Sequence, residues 1–188
     1  MNLDGYALPI KKLKGTEPVK SLDLSGKKLG VASTIVIASL ISVNSSLTEL
    51  SIYGNCVGDE GVRAICEAIQ SNKETKLASL NFGYNGIGPV GANALAAMVA
   101  ATGSLTSLDL SLNQLCGLVY CEGYGNYTAE GITAIADALR VNGALTSINL
   151  STHVLCGTNR YGGGTYTAEG IIAIADALRV NGSLTKIE

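Results

Sequence analysis

Tryptophan is missing from this chain of 188 residues, phenylalanine and histidine occur once each, and proline three times. A single imidazole, His153, leaves little room for histidine-based acid–base chemistry, and no serine or cysteine is placed by the sequence beside it in a nucleophile elbow. The GYG and GGG runs lack the strand-to-helix context of a phosphate-binding loop, so no cofactor is expected. Charge is scarce at 15% and nearly balanced, with a formal net charge of -2 and a pI near 5.4. With no basic field, and no lysine run beyond Lys11, Lys12 and Lys14, nucleic acid is not an expected partner. The most apolar run, Leu29 to Val43, is broken by serines and is shorter than the roughly 20 residues a bilayer requires. The first residues have no basic start followed by an apolar core, so they do not read as a secretory signal. Five cysteines, an odd number, make no disulfide framework in a chain of this size. Reduced thiols in a cytoplasmic protein are the expectation.

What the chain does have is repetition. Residues 105 to 144 are repeated almost word for word by residues 145 to 183, LTSLDLSLNQLCG becoming LTSINLSTHVLCG and TAEGITAIADALRVNG becoming TAEGIIAIADALRVNG. One frame runs through both and through the residues before them: Val19, Leu22, Leu24, Lys27, Leu29, then Leu47, Leu50, Ile52, Asn55, Val57, then Leu77, Leu80, Phe82, Asn85, Ile87. It continues as Leu105, Leu108, Leu110, Asn113, Leu115 and as Leu145, Ile148, Leu150, His153, Leu155. Apolar residues two apart are the period of a strand with one buried face, so each frame opens with a short strand.

A helical period follows each strand, for example Val62, Ile65, Cys66, Ile69 and Ile132, Ile135, Ala136, Leu139. Asp59 with Glu60, Thr128 with Glu130 and Thr167 with Glu169 place cap oxygens and acids at the helix starts, and Asn142-Gly143 and Asn181-Gly182 predict a left-handed exit. One strand and one helix cannot bury their apolar faces alone, whereas stacked copies can. The architecture expected is therefore an α/β solenoid with a parallel sheet on one side and helices on the other.

The LxxLxLxxNxL frame with its following helix resembles the leucine-rich repeat family, and the helix pattern G-x-x-x-I/L-x-x-A/L resembles the long, ribonuclease-inhibitor subtype. The resemblance covers residues 19 to 188. It implies a curved horseshoe with the sheet on its concave side, and protein recognition as the usual role, including inhibitors, innate sensors and activators of small GTPases. Fold alone does not fix function.

The repeat lengths divide the chain into residues 1–18, read as an irregular strand capping the first repeat, and units 19–46, 47–76, 77–104, 105–144 and 145–183, with a partial unit at 184–188. The first three units span 28, 30 and 28 residues, the last two 40 and 39. The excess lies between Leu115 and Thr128 and between Leu155 and Thr167, in the strand-to-helix loops, where insertions into a solenoid map to one face and often to the binding face. At the other extremity, the opening strand Leu184 to Glu188 has no following unit in the sequence. That end is expected either to self-associate or dock a partner, or to belong to a longer array.

Five of the eight tyrosines fall in or beside the two insertions: Tyr120, Tyr124 and Tyr127 in one, Tyr161 and Tyr166 in the other, amid Gly, Asn and Arg160. Tyrosine on a glycine-rich backbone offers large amphipathic contact area with few rotors, which suits a protein partner; the same residues could instead pack the two loops on each other. Strand residues facing the sheet side are small and polar, such as Ser79, Asn81, Ser107 and Asp109, and lack such anchors. Stacking also places Cys116 beside Cys156, with His153 and Cys121 near by, so a zinc site or a disulfide there stands beside plain packing. His153 occupies the frame position of Asn55, Asn85 and Asn113 and is expected to act structurally or turn to solvent. The reading reached is a non-enzymatic protein-binding scaffold. A GTPase activator, which would need a protruding Asn85 or Arg160, and a fragment of a longer repeat protein are the alternatives.

Overall fold

A computed structural model describes residues 2–118, 125–158 and 165–188 of the chain. Six short parallel strands form one sheet in strict chain order: β3 (Ser21–Asp23), β4 (Glu49–Ser51), β5 (Ser79–Asn81), β6 (Ser107–Asp109), β7 (Ser147–Asn149) and β8 (Lys186–Ile187). Their register brings the middle apolar position of every frame into one row, Leu22, Leu50, Leu80, Leu108, Ile148 and Ile187. From Leu50 to Ile148 these side chains are no more than 2% exposed. Burial of that completeness stabilises by roughly 1.5–3 kcal/mol per side chain.

Between consecutive strands run α2 (Val31–Ile41), α3 (Gly58–Ser71), α4 (Pro89–Ala101), α5 (Glu130–Val141) and α6 (Glu169–Leu178), each packed on its neighbours in order. The helical stripe predicted from the sequence is the buried one: Val62, Ile65, Cys66 and Ile69 on α3, and Ile132, Ile135, Ala136 and Leu139 on α5, lie in a single core. On α6 the equivalent residues Ile171 and Leu178 are exposed; among the described residues the helix packed on α6 is α5. The arrangement is an α/β solenoid.

Residues 1–18 differ from the irregular strand expected. An antiparallel pair, β1 (Asn2–Leu3) and β2 (Tyr6–Ala7), leads into a short helix, α1 (Ile10–Lys14). Leu8 and Leu13 are buried against the core, and the Asp4 carboxylate accepts the Gly30 N–H at 2.9 Å, at the start of α2. The same device recurs two repeats on, where Asp59 accepts the Gly88 N–H at 2.7 Å, at the start of α4. Asp59 thus serves the neighbouring helix, not its own, since the unpaired amides at a helix start attract a carboxylate wherever it comes from. Thr128 and Thr167 act as expected, their hydroxyls accepting the N–H groups of Glu130 and Glu169.

The helix exits are not left-handed. Asn142 is extended, with φ -82° and ψ 123°, and neither Gly143 nor Gly182 has a positive φ. Asparagine is there for its amide. Asn142 donates to the carbonyls of Val99 and Thr102 in the preceding repeat and accepts from the N–H groups of Ala144 and Leu145. Asn72 donates in the same way to Ile41 and Asn44, and Asn181 to Leu139 and Asn142. The second, fourth and fifth coils are therefore each tied to the one before at the helix exit.

Candidate functional site

The frame asparagines form a second ladder under the loops that leave the strands. Asn55 donates to the carbonyls of Leu24 and Ile52 and accepts from the N–H groups of Lys27 and Leu29, and Asn113 makes the equivalent bonds to Phe82, Leu110, Asn85 and Ile87. Asn85 is 2% exposed and its amide is spent on Ile52, Phe82 and Gly83. It does not protrude, which removes it as the polar finger that a GTPase activator would need. Arg160, the other candidate for that role, lies outside the described residues.

His153 turns inward, as the structural alternative expected. It is 2% exposed, and its Nε2 lies 2.7 Å from the Leu110 carbonyl oxygen. Burial drives its pKa down to about 4, against the opposing pull of that carbonyl. An imidazole held neutral and half-satisfied has the asparagine's seat without its full bonding. Cys116 is buried, its thiol pushed up to about 12 chiefly by desolvation, and Cys156 is half-buried beside it. Both are free thiols, not a disulfide. Among the described residues no three metal-ligating side chains converge, so the zinc arrangement of Cys116, Cys156 and His153 is not formed; Cys121 lies outside them.

Both insertions leave and return through closed stems. The Thr128 N–H donates to the Cys116 carbonyl at 3.1 Å, and the Thr167 N–H to the Cys156 carbonyl at 2.9 Å. A Cβ on Gly117 would stand 2.4 Å from the Asn126 carbonyl oxygen and one on Gly157 2.3 Å from that of Thr165, so the two strands of each stem touch through glycine. Excursions pinned at their base in this way are loops added to a complete coil, not parts of its core. The stems sit side by side around a cleft of about 490 Å³ lined by Leu118, Asn126, Tyr127, Thr165 and Glu169 among others.

Of the tyrosines singled out, the structure describes two. Tyr127 is half-buried and its hydroxyl donates to the Leu155 carbonyl at 3.0 Å, bracing one insertion on the next coil. Burial raises the pKa of that phenol. Tyr166 is 69% exposed. The two therefore divide between the roles weighed for this cluster, packing for Tyr127 and an open surface for Tyr166. Tyr120, Tyr124 and Tyr161 lie outside the described residues.

Residues that the sequence did not point to flank this region. Just before the frame position held by Lys27, Asn55, Asn85, Asn113 and His153 the backbone is left-handed in all five units: Gly26, Gly54, Tyr84, Leu112 and Thr152, with φ between 54° and 69°. Glycine takes this conformation freely, whereas other residues lose roughly 1–2 kcal/mol in it. Tyr84 and Leu112 are 61% and 41% exposed there, and Tyr53 lies 6.3 Å from Tyr84 between ring centroids. The signal in the sequence is the switch from glycine to bulky residues at one fixed frame position.

A family model described as "Leucine Rich repeat" matches residues 43–66 and 73–96. The chain is similar to the NACHT, LRR and PYD domains-containing protein 7 of Homo sapiens, 34% identical over 110 residues, which are 57% of this chain and 11% of that protein. It is also similar to the ribonuclease inhibitor of Mus musculus, 35% identical over 99 residues, 53% of this chain and 22% of the relative. The match thus spans under a quarter of either relative's length. Among solved structures, the leiomodin-1 actin-binding site 2 superposes with a TM-score of 0.67 at 17% identity, covering 92% of this chain and 87% of that one. The tropomodulin C-terminal domain of Caenorhabditis elegans does so at 0.65 and 16%, covering 92% and 90%. These two likenesses concern the fold. No helix among the described residues is long and apolar enough to cross a membrane.

Proposed function

Since this chain belongs to the leucine-rich repeat family in its ribonuclease-inhibitor-like form, we propose that it is a non-enzymatic scaffold whose inserted loops contact another protein. The observation that carries this reading is the pair of pinned stems on adjacent coils, Cys116 to Thr128 and Cys156 to Thr167. Insertions that the fold does not need, placed at the same point of neighbouring repeats, are an addition for contact. Exposed Tyr166 supplies one anchor beside the cleft, and Tyr120, Tyr124, Arg160 and Tyr161 are the further contact residues, with Tyr127 bracing the base from below. A cytoplasmic setting suits thiols that are free at positions 56, 66, 116 and 156.

Excision provides the test. Joining Cys116 to Thr128 and Cys156 to Thr167 restores units close to the 28 to 30 residues of the earlier coils, because the stems are already in backbone contact. The shortened protein is expected to melt cooperatively, at a temperature lowered only by the loss of the Tyr127 and Leu118 contacts, and to lose the partner that crosslinking captures with the intact chain. A full-length Tyr124→Ala, Tyr166→Ala variant is expected to weaken the same capture. If the excised protein retains the intact chain's crosslinked partner, the loops are not the contact surface.

A further inference from the structure

The left-handed seat before the frame position of Asn55, Asn85 and Asn113 has a use distinct from the inserted loops. Backbone bonds stack this seat from coil to coil: the Gly26 N–H donates to the Tyr53 carbonyl, Gly54 to Gly83, Tyr84 to Ser111 and Leu112 to Ser151, at 2.8 to 3.1 Å. The residues in it therefore form a row with one member per coil, spaced by about the 5 Å of neighbouring strands. Gly26 and Gly54 satisfy the conformation without strain, yet the next two coils carry Tyr84 and Leu112, both solvent-exposed. Side chains kept in a strained backbone state where glycine would serve mark a surface with a role other than folding.

Around them the surface is shaped for contact. The Tyr53 ring packs against Gly83, whose missing Cβ would stand 2.8 Å from it, and so extends the apolar area from the loop edge onto the sheet. Gly54, Cys56, Tyr84, Gly86, Leu112 and Gln114 border a cleft of about 470 Å³ between these coils. The charged residues at the strand ends and helix starts that make this edge in coils two to four are, among the described residues, acidic: Asp59 and Glu60 at the start of α3, Asp109 at the end of β6 and Glu130 at the start of α5. Lys73 and Lys76 lie at the opposite edge, between α3 and β5, and Arg140 at the end of α5.

From this geometry we infer that Tyr53, Tyr84 and Leu112 form a docking strip for a basic amphipathic helix of a partner protein, laid along the row across coils two to four. Steps of about 5 Å between coils match the roughly 5–6 Å between side chains three and four apart on a helix, so one ridge places a residue against each coil. Three coils accept about three turns of 5.4 Å. An extended peptide, whose same-face side chains recur at about 6.6–6.8 Å, falls out of step with the row. The acidic flanks select lysine or arginine beside the apolar ridge. This inference rests on the proposed role as a binding scaffold but on residues outside the insertions, so each can fail without the other.

A random library of 16-residue displayed peptides, selected on the full chain and counter-selected on a Tyr84→Gly, Leu112→Gly variant, tests it. Peptides that discriminate are expected to carry apolar residues at i, i+3 or i+4 and i+7 flanked by lysine or arginine, to lose at least tenfold in affinity for the variant, and to be unaffected by Tyr166→Ala. The glycine variant is expected to melt no lower than the parent, because Gly26 and Gly54 hold the same seat. Glu60→Lys with Glu130→Lys, which leaves the seat untouched, is expected to weaken binding severalfold. Selection that yields no discriminating peptide, or yields acidic, proline-containing or alternating sequences, overturns the inference, as does a basic helical peptide indifferent to both variants.

Discussion

His153 Nε2 sits 2.7 Å from the Leu110 carbonyl oxygen, in the position from which Asn55, Asn85 and Asn113 reach the carbonyl of their own preceding coil. Its Nδ1 is buried with no partner, whereas Asn113 uses its side-chain oxygen to accept the N–H groups of Asn85 and Ile87. His153→Asn is therefore expected to stabilise the fold at neutral pH. Restored buried hydrogen bonds are worth about 0.5–1.5 kcal/mol each. Urea melts at pH 7 check this, and a less stable variant refutes the imidazole's poor fit.

The same imidazole makes stability depend on pH with a definite sign. An unfolded chain protonates it near 6.5 and the folded chain near 4, so between those values the unfolded state holds more protons. The folded state is favoured less as pH falls through that window; above it this group makes no difference, and below it the loss has saturated. The slope is at most about 1.4 kcal/mol per pH unit. The stability gap between His153→Asn and the parent should accordingly widen from pH 6.5 to pH 4. Parallel stability curves for the two proteins across that range would remove burial of a neutral His153 from the account.

At the helix exits, one rung of the asparagine ladder is missing. Asn44, Asn72, Asn142 and Asn181 each tie their coil to the one before, but the third coil has Thr102, whose hydroxyl turns back to Met98 in its own helix at 2.6 Å. The buried hydroxyl of Ser104 has no partner beside it, and a cleft bordered by Ile69, Asn72, Thr102 and Ser104 marks the gap. Thr102→Asn is expected to bridge to the second coil and stabilise by about 1–2 kcal/mol. The converse change, Asn142→Ala, removes the partners of the Ala144 and Leu145 amides and of the Thr102 carbonyl, and is expected to cost several times an ordinary hydrogen bond. Equal melting temperatures for both variants and the parent would show that these amides do not couple the coils.

Why some of this was legible in the sequence and some was not follows from what each residue answers to. The row from Leu22 to Ile187, the buried helix stripes and the lengthened fourth and fifth units were readable because strand and helix periods are local and recur in every unit. The hairpin and short helix before Ser21 were not, since those residues occur once and share no period with the rest. The exit asparagines were visible but assigned to backbone conformation. Their partners, such as the carbonyls of Val99 and Thr102, lie 40 or more residues away and only stacking brings them in. Left-handed Tyr84 and Leu112 escaped notice because nothing in a tyrosine or leucine announces a positive φ. Only comparison with Gly26 and Gly54 at the same frame position does, and the positive φ itself is seen in the structure.

Tyr127 tests whether the insertions are braced or loose. Its hydroxyl donates to the Leu155 carbonyl at 3.0 Å, linking the first insertion's stem to the next coil. Tyr127→Phe keeps the ring and removes the bond, for an expected loss of about 1 kcal/mol. Hydrogen exchange at Thr167 and Glu169 should accelerate in the variant more than exchange in α3. Uniform exchange across the molecule would mean that the stem is held by the glycine contacts alone.

Gly131 tests how closely the coils are stacked. It is the second residue of α5, and a Cβ placed on it would stand 2.4 Å from the Leu115 carbonyl oxygen and 2.9 Å from both Ala92 and Pro89 of the preceding helix. Two of these three obstacles are backbone atoms, so no side-chain rotation relieves them. In the middle of a helix alanine ordinarily stabilises relative to glycine by roughly 0.5–1 kcal/mol. Here overpacking should outweigh that gain, and Gly131→Ala is expected to destabilise by about 1–3 kcal/mol. Gly83→Ala provides the contrast: its obstacles are the partly exposed Tyr53 ring and the Ser111 hydroxyl, both of which can swing aside. Denaturant melts should therefore show a large loss at Gly131 and a small one at Gly83. The reverse order would mean that α4 and α5 are not in backbone contact, and the tight stacking that sets the 5 Å rows along the loop edge would go with it.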